Sequence, residues 1–179
     1  GGMLLTDDED CANAVRKWAT QSREAVVWYE HEEVGYNYRM SNLLAALGAS
    51  QLRRIDETVK HRRDVRQWYT DRLTGIEGIS VLRDPPWGDS NSWLTVARFD
   101  ETCHPGAPER IRLALESVNI ESRPVWKPMH QQPVFKDSLA LLRGSADRWF
   151  REGLCLPSGP AITEDQVDRI CSIVLNELP

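Results

Sequence analysis

Apolar residues recur at three- and four-residue intervals near the start of the chain, and this spacing marks one face of an α-helix. Four consecutive acidic residues occupy positions 7–10. Carboxylates are favoured where a helix begins, because the helix dipole is positive there. The residues that follow share a single helical face: Ala12, Val15, Trp18 and Ala19. The pattern therefore predicts an amphipathic helix after the acidic run, with a short strand at residues 3–6 before it.

The longest uninterrupted pattern covers residues 41–73, which contain no proline and only one interior residue that disfavours a helix, Gly48. Its apolar residues fall on one stripe: Leu44, Leu47, Ile55, Val59, Val65, Tyr69 and Leu73. A continuous helix here would be about 50 Å long at 1.5 Å per residue. We expect it to join two lobes or to follow a subunit interface, with a kink near Gly48.

The second half of the chain mixes strand and helix patterns. Strands are predicted at residues 79–82, 93–99 and 120–126. Pro124 places the last of these at a sheet edge, because proline cannot donate a backbone hydrogen bond. The fold class is therefore α/β, in the form of a small α+β sandwich with helices packed on a short sheet.

Two helix starts are marked in the same region. Pro108 suits the first turn of a helix that carries Ile111 and Leu115 at core spacing. The sequence of residues 163–166 is a capping box, which predicts a terminal helix. Its inward residues are expected to be Val167, Ile170, Cys171, Val174, Leu175 and Leu178.

Charge and cysteine content narrow the function. A formal net charge of -5 over 179 residues argues against general binding to nucleic acid or to a membrane surface. No apolar stretch is long enough to span a bilayer, and no secretion signal is visible. The four cysteines form no Cys-x-x-Cys pair, so a metal site is not expected. We expect a cytoplasmic protein with reduced thiols.

A polar, aromatic loop at residues 35–42 carries the first candidate chemistry. Asn37 offers an amide, Arg39 offers a fixed cation, and Ser41 is a good N-cap for the helix that follows. Such a loop can present hydrogen-bond donors and a positive charge to a phosphorylated ligand.

Five segments resemble the DegT/DnrJ/EryC1/StrS family of sugar aminotransferases, and the resemblance extends over essentially the whole chain. They are residues 20–24, 29–31, 35–39, 123–130 and 155–159. The resemblance implies the small C-terminal domain of the type I aminotransferase fold, together with the last strand and helix of the large domain and a long connecting helix. The segments 126–130 and 155–159 resemble the branch that aminates C4 of a UDP-linked sugar in bacillosamine synthesis.

The resemblance also implies a reaction. Family members use pyridoxal 5'-phosphate (PLP), held as a Schiff base by a lysine. An amino-acid donor, commonly glutamate, supplies the amine, which passes to a 4-keto-6-deoxy nucleotide sugar. The active sites are shared by a homodimer.

The lysine of the family lies just upstream of the Gly-Gly pair that opens this chain, and the four lysines present do not match its context. We therefore expect the C-terminal portion of a longer aminotransferase, inactive by itself. Its expected segments are a large-domain remnant at 1–40, the connecting helix at 41–74 and the small domain at 75–179.

The resemblance assigns roles to individual residues. Asn37 matches the asparagine that contacts the PLP phosphate of the neighbouring subunit, although a turn-stabilising role is the alternative. Arg39 is expected to bind a substrate diphosphate or a carboxylate across the subunits, or to form a surface salt bridge. Tyr36 is expected to line the sugar pocket or to pack at the helix start.

A second group of candidates lies in the loop that borders the nucleotide-sugar site in similar enzymes. Arg123, Lys127 and His130 are the predicted substrate-binding residues there, with a structural salt bridge as the alternative for Arg123 and ordinary exposure as the alternative for the other two. Trp126 is expected in the core rather than as a platform that stacks on uracil.

Two other interpretations of the sequence stay open. Some family members are PLP-dependent sugar dehydratases in which histidine replaces the Schiff-base lysine. A noncatalytic dimerisation or ligand-binding module with this fold is the other alternative. Exposed apolar surface would favour a lobe of an enzyme over an independent module.

Overall fold

The computed structural model describes residues 2–178. Gly1 and Pro179, which are the outer ends of the predicted segments 1–40 and 75–179, lie outside the described residues. The chain divides into two compact units, one up to Arg54 and one from Ile55 onward. This division falls inside the segment that was expected to form one connecting helix.

The first unit begins with helix α1, Glu9–Ala19. The Asp8 side chain caps it by accepting a hydrogen bond from the backbone of Cys11, so the predicted acidic helix start is confirmed. The strand predicted at residues 3–6 is wrong, because these residues pair with no strand among residues 2–178. A short apolar run forms a strand only where a neighbouring strand accepts its hydrogen bonds.

Helix α2, Asn42–Leu52, is capped by Ser41 as predicted, but it does not continue to residue 73. Helix α3, Ile55–Leu73, is a separate helix. The interruption lies at residues 53–54 rather than at Gly48. There the amide of Arg53 still donates to the Ala49 carbonyl, four residues before it. The amide of Arg54 instead donates to the Gln51 carbonyl, three residues before it.

The second unit contains a four-stranded antiparallel sheet. Its strands are β1 (Ile79–Val81), β2 (Thr95–Phe99), β3 (Arg123–Pro124) and β4 (Gly153–Leu156), in the order β1-β2-β4-β3. The strands predicted at 79–82 and 93–99 are present with shorter bounds, and the third is reduced to two residues at the expected edge. The sequence pattern missed β4.

Three helices complete this unit: α4 (Ala107–Ser117), α5 (Ser145–Glu152) and α6 (Glu164–Asn176). The capping box at the start of α6 is confirmed, because the side chains of Thr163 and Gln166 each bond the other's backbone amide. Four of the six residues expected to face inward from this helix are buried, whereas Leu175 is exposed.

The core lies between the sheet and helices α3, α4 and α6, which confirms the mixed α and β fold class. Its fully buried side chains come from all of these elements: Val65, Tyr69, Leu73, Ala97, Phe99, Ala107, Ile111, Leu115, Val167 and Val174. Tyr69 is the largest of them, and its hydroxyl donates a 3.0 Å hydrogen bond to the Pro157 carbonyl. Burial raises the pKa of Tyr69, so the phenol stays neutral.

The opposite face of the sheet is more polar. Because side chains alternate along a strand, Val96 and Arg98 of β2 and Cys155 of β4 point away from the core. The Arg98 guanidinium lies 3.1 Å from a carboxylate oxygen of Glu152, which is buried at the end of α5. Arg151 also pairs with that carboxylate, so the buried charge is compensated.

Gly153 joins α5 directly to β4, and we predict that it tolerates no side chain. A Cβ atom there would lie 2.6 Å from Cγ2 of Val125 and against the Trp149 carbonyl. Gly153→Ala should lower the free energy of unfolding by about 1–3 kcal/mol in urea titration, because the atoms in contact must separate. Gly159→Ala is the control, since nothing lies within 4 Å of its Cβ position. Equal effects of the two substitutions would contradict this packing.

Arg66 of α3 binds Asp84 through hydrogen bonds of 2.6 and 2.8 Å. The guanidinium, assisted by Ser90, holds the pKa of Asp84 well below its ordinary 3.8. A lowered carboxyl pKa contributes stability above the ordinary value and loses it as the pH falls through the folded value.

We therefore predict that Asp84→Asn lowers the free energy of unfolding at neutral pH, by up to about 1 kcal/mol for this partly exposed pair. The difference from wild type should shrink between about pH 4 and about pH 2 in urea titrations. Asp89→Asn removes a more exposed partner of Arg63 and should have a smaller effect. A deficit of Asp84→Asn that did not vary with pH would contradict the assignment.

Candidate functional site

In the first unit, the candidate loop is anchored to the end of α1 by backbone hydrogen bonds. Thr20 and Asn37 form an isolated antiparallel bridge. The amides of Tyr36 and Tyr38 donate to the carbonyls of Trp18 and Ala19, at 2.6 and 3.1 Å. The segment around Asn37 is therefore held at a fixed position beside the helix end.

Gly35 allows this close approach. Gln21 and Ser22 both adopt left-handed backbone conformations, with φ of 67° and 50°, and form a tight turn at the end of α1. A Cβ at Gly35 would lie 2.5 Å from Oγ of Ser22 and would also meet the backbone of this turn. His31 closes the loop from the other side, with Nδ1 2.9 Å from the Gln21 carbonyl oxygen.

The Asn37 side chain is exposed and lines two neighbouring cavities of this unit, of about 740 and about 540 Å³. Arg39 lines the smaller one together with Arg23. Within residues 2–178, Arg39 makes no hydrogen bond or ion pair. The loop thus presents an amide and an uncompensated guanidinium, which are groups suited to a phosphate or another anion.

Aromatic rings flank these donors. Tyr36 and Tyr38 stack with their centroids 5.1 Å apart and are both exposed. The Arg23 guanidinium lies 4.3 Å from the centre of the Tyr29 ring, which orients it by a cation–π contact. Lys17 has a different environment, since Glu24 and Glu33 pair with it. Glu24 above all raises the pKa of Lys17.

The three candidates of the second unit do not converge as a group. Arg123 in β3 forms an exposed ion pair with Glu121, with Nε 2.7 Å from the carboxylate. Lys127 is exposed. His130 instead contacts Asp147 in the first turn of α5, with Nε2 2.8 Å from Oδ1.

Asp147 also accepts a hydrogen bond from the amide of Gln131. The contact with Gln131 and, to a smaller extent, the contact with His130 hold the pKa of Asp147 below its ordinary value. His130 thus fastens its loop to α5. His130 and Asp147 are 17 positions apart in the sequence, so no local sequence pattern predicts their contact.

A cavity of about 320 Å³ lies beside Arg123, at the end of the sheet where β2 begins and β4 ends. Its lining includes Trp93 and Trp126, and no pattern in the sequence marks the first of these as a candidate. The expectation that Trp126 is a core residue is wrong, because 64% of its surface is exposed. It follows the edge strand β3, where no further strand of the described chain covers it.

Other kinds of site find no support among residues 2–178. No group of three or more histidine, cysteine, aspartate or glutamate side chains could hold a metal ion there. The four cysteines are free thiols. No helix in this part of the chain has the length and apolar character needed to cross a membrane.

Comparison with known proteins identifies the class of protein that these features define. The family model described as the DegT/DnrJ/EryC1/StrS aminotransferase family matches residues 1–175. The chain therefore belongs to this family, as the sequence resemblance predicted.

Individual relatives agree with this assignment. The chain is 39% identical, over 98% of its length, to EpsN of Bacillus subtilis (strain 168), a protein assigned as a pyridoxal phosphate-dependent aminotransferase. It is 32% identical, again over 98%, to GDP-perosamine synthase of Vibrio cholerae. The alignments cover 46% and 48% of these two proteins, so the chain spans about half the length of the curated relatives it matches.

A solved structure supports the fold. The aminotransferase TlmJ from Streptoalloteichus hindustanus superimposes with a TM-score of 0.80 at 22% identity, over 97% of this chain and 46% of that one. The predicted aminotransferase fold is thus confirmed. The predicted cofactor, PLP, agrees with the family and with the description of EpsN.

The close approach at Gly35 generates a prediction for the loop. Gly35→Ala should separate residues 35–38 from the Gln21–Ser22 turn. Amide hydrogen exchange at Tyr36 and Tyr38 should then accelerate by about 5- to 150-fold, the equivalent of about 1–3 kcal/mol of overpacking.

Gly48→Ala is the matched control for this substitution. Its Cβ would meet nothing within 4 Å, and alanine favours the helix in which it lies. Exchange at Tyr36 and Tyr38 should not change in this variant. Unaltered exchange in Gly35→Ala would show that the backbone contact does not hold the loop.

Proposed function

We propose that this chain is part of a PLP-dependent aminotransferase that acts on a nucleotide sugar. The amine comes from an amino acid, with glutamate as the first candidate, and passes to a 4-keto-6-deoxy sugar linked to a nucleoside diphosphate. Family membership supports the reaction class. The cofactor, when bound, carries the amino group between donor and acceptor.

The observation that carries the proposal is the exposed Asn37 side chain on a rigid loop. A group that binds the phosphate of a cofactor binds it more tightly when it is open to solvent and already held in place before binding. The cavities that Asn37 lines leave its side chain open to solvent, and the backbone bridge to Thr20 holds the loop in place. The residues present therefore fit a phosphate group.

Arg39 extends the same surface. Its guanidinium lines a cavity with Asn37 and carries a charge that no described acid neutralises. In the proposed enzyme it binds a second anionic group, either the substrate diphosphate or a carboxylate of the neighbouring subunit. Tyr36, which stacks on Tyr38 and is half exposed, would form the aromatic wall of the sugar pocket.

Exposed apolar surface supports an assembly rather than an independent module. Helix α2 contains no charged residue, and none of its residues is buried within its unit. Four leucines are more than half exposed: Leu43, Leu44, Leu47 and Leu52. A helix that is apolar on all sides is normally covered on all sides. We assign this covering to the remainder of the protein and to the second subunit of a homodimer.

The three segments expected from the sequence keep their bounds in the proposed enzyme. Residues 1–40 are assigned to the cofactor-binding domain, 41–74 to the connection, whose helix α3 also packs in the core of the second unit, and 75–179 to the small domain of a cytoplasmic enzyme. The Schiff-base lysine is assigned to the part of the protein outside this chain. Lys17 is not suited to that role, since Glu24 and Glu33 stabilise its charged form.

The loop of the second unit is assigned to the nucleotide sugar. Lys127 is exposed, and Arg123 is paired only with an exposed glutamate, so both can turn towards a diphosphate. His130 is fixed by Asp147 and would act by holding the loop or by donating to a sugar hydroxyl. UDP is the first nucleotide to test, and the name of the Vibrio cholerae relative makes GDP the second.

The reaction is tested with the intact protein, PLP, glutamate and a UDP-linked or GDP-linked 4-keto-6-deoxy sugar. The proposal requires one 2-oxoglutarate for each amino sugar formed. A dehydratase would consume the sugar and release a deoxygenated keto sugar without lasting transfer of nitrogen. No change in any sugar would favour a noncatalytic module.

Asn37 is tested separately through retention of the cofactor. Asn37→Ala should weaken PLP binding by about 10- to 150-fold, because a hydrogen bond to a charged group contributes about 1.5–3 kcal/mol. Release of PLP during dialysis, followed by absorbance, measures this change. Asn176→Ala is the control, since this exposed residue ends α6 in the other unit. Equal retention in both variants would remove Asn37 from the cofactor site.

A further inference from the structure

The two tryptophans beside the sheet-end cavity are unusual in their exposure. Trp93 is 57% exposed and Trp126 is 64% exposed, although both are large apolar side chains adjacent to strands. Their ring centroids are 6.0 Å apart at an interplanar angle of 44°. This angle excludes parallel stacking, so neither indole covers the face of the other.

The cavity between them has an apolar floor. Cys155 and Leu156, at the end of β4, are almost fully buried and contribute to its lining. Burial also raises the pKa of the Cys155 thiol, so the floor carries no charge. A volume of about 320 Å³ is sufficient for a small flat molecule but not for a folded segment of protein.

Polar groups line the wall on the side of β3. The Ser122 hydroxyl is buried there and has no hydrogen-bond partner among the described residues. A buried hydroxyl without a partner is unfavourable unless a ligand or water satisfies it. β3 is also an edge strand that, among the described residues, pairs only with β4; because Pro124 has no N–H, this edge offers a carbonyl acceptor to the edge of a ring.

Arg123 lies in the same wall. Within residues 2–178 its guanidinium is held only by the exposed Glu121, and such a pair contributes little to stability. Arg123 can therefore exchange this partner for a phosphate near the cavity. An apolar cavity with exposed indole faces, a hydroxyl and a carbonyl at its edge, and an adjacent cation are together features that suit a nucleotide.

We propose that Trp93 and Trp126 hold the base of a nucleotide in this cavity, with Trp126 as the main stacking surface. This inference rests on the proposed function, because it places the base of the proposed nucleotide-sugar substrate in the sheet-end cavity of the second unit. The apolar indole faces bind the ring, the Ser122 hydroxyl and the β3 edge bond its polar rim, and Arg123 binds the attached phosphate. An aromatic side chain from another protein segment is the competing occupant.

Binding of mononucleotides to the intact protein tests the inference. UMP and GMP are compared with ribose 5-phosphate, which lacks a base, by isothermal titration calorimetry. At least one of the two mononucleotides should bind more tightly than ribose 5-phosphate. Trp126→Leu should weaken that binding by about 5- to 150-fold, the range expected for loss of a base stacked on an aromatic ring. Binding of ribose 5-phosphate should not change.

Two further variants separate stacking from a general loss of structure. Trp126→Phe keeps an aromatic face and should restore most of the mononucleotide affinity. Trp87→Leu removes another exposed tryptophan, one that does not line the cavity, and should have no effect. The inference is overturned if ribose 5-phosphate binds as well as the mononucleotides, if neither mononucleotide binds, or if Trp126→Leu leaves their affinity unchanged.

The amino-transfer assay distinguishes this inference from the proposed function. Amino transfer that proceeds with an unchanged KM in Trp126→Leu would overturn the base site and leave the reaction standing. Mononucleotide binding that depends on Trp126, in a protein that aminates no sugar, would support the base site and overturn the reaction.

Discussion

The backbone contact between Gly35 and the Gln21–Ser22 turn is the constraint on which the candidate cofactor site depends. Two consecutive left-handed residues bring the end of α1 back on itself, and a glycine lets the later segment pack directly against that turn. Since the carbonyls at the end of α1 accept the amides beside Asn37, the helix rather than a free loop positions its side chain. Rigidity at this point lowers the entropy cost of binding an anion.

Local signals in the sequence were sufficient for most helices. The caps at Asp8, Ser41 and Thr163 act within three residues of the chain, so the helix starts were predictable. β4 was missed because all four of its residues are buried, and a short buried strand shows no alternation of polar and apolar positions. The break at residues 53–54 has no glycine or proline to mark it. It falls at the boundary between the two units.

The sequence of a loop was sufficient to propose Asn37 and Arg39 as candidates. It was not sufficient where contacts between distant residues determine a side chain's environment. Asn37 and Arg39 follow from the sequence of their loop, and both are exposed as a ligand-binding role requires. The environment of Trp126 depends on β3 being the last strand of the sheet, which no local pattern encodes. The pairing of His130 with Asp147 likewise requires α5, a helix that the sequence pattern did not predict.

The two units differ in how they are stabilised, and this difference connects assembly with cofactor binding. The second unit has a closed core, whereas α2 buries none of its residues within the first. A helix of eleven residues is marginal in water without packing, so α2 needs a covering surface to be stable. Arg39 lies only two positions before the Ser41 cap of this helix. In the proposed dimer, the surface that covers α2 therefore lies next to the phosphate-binding loop, and the cofactor in turn strengthens the association by mass action.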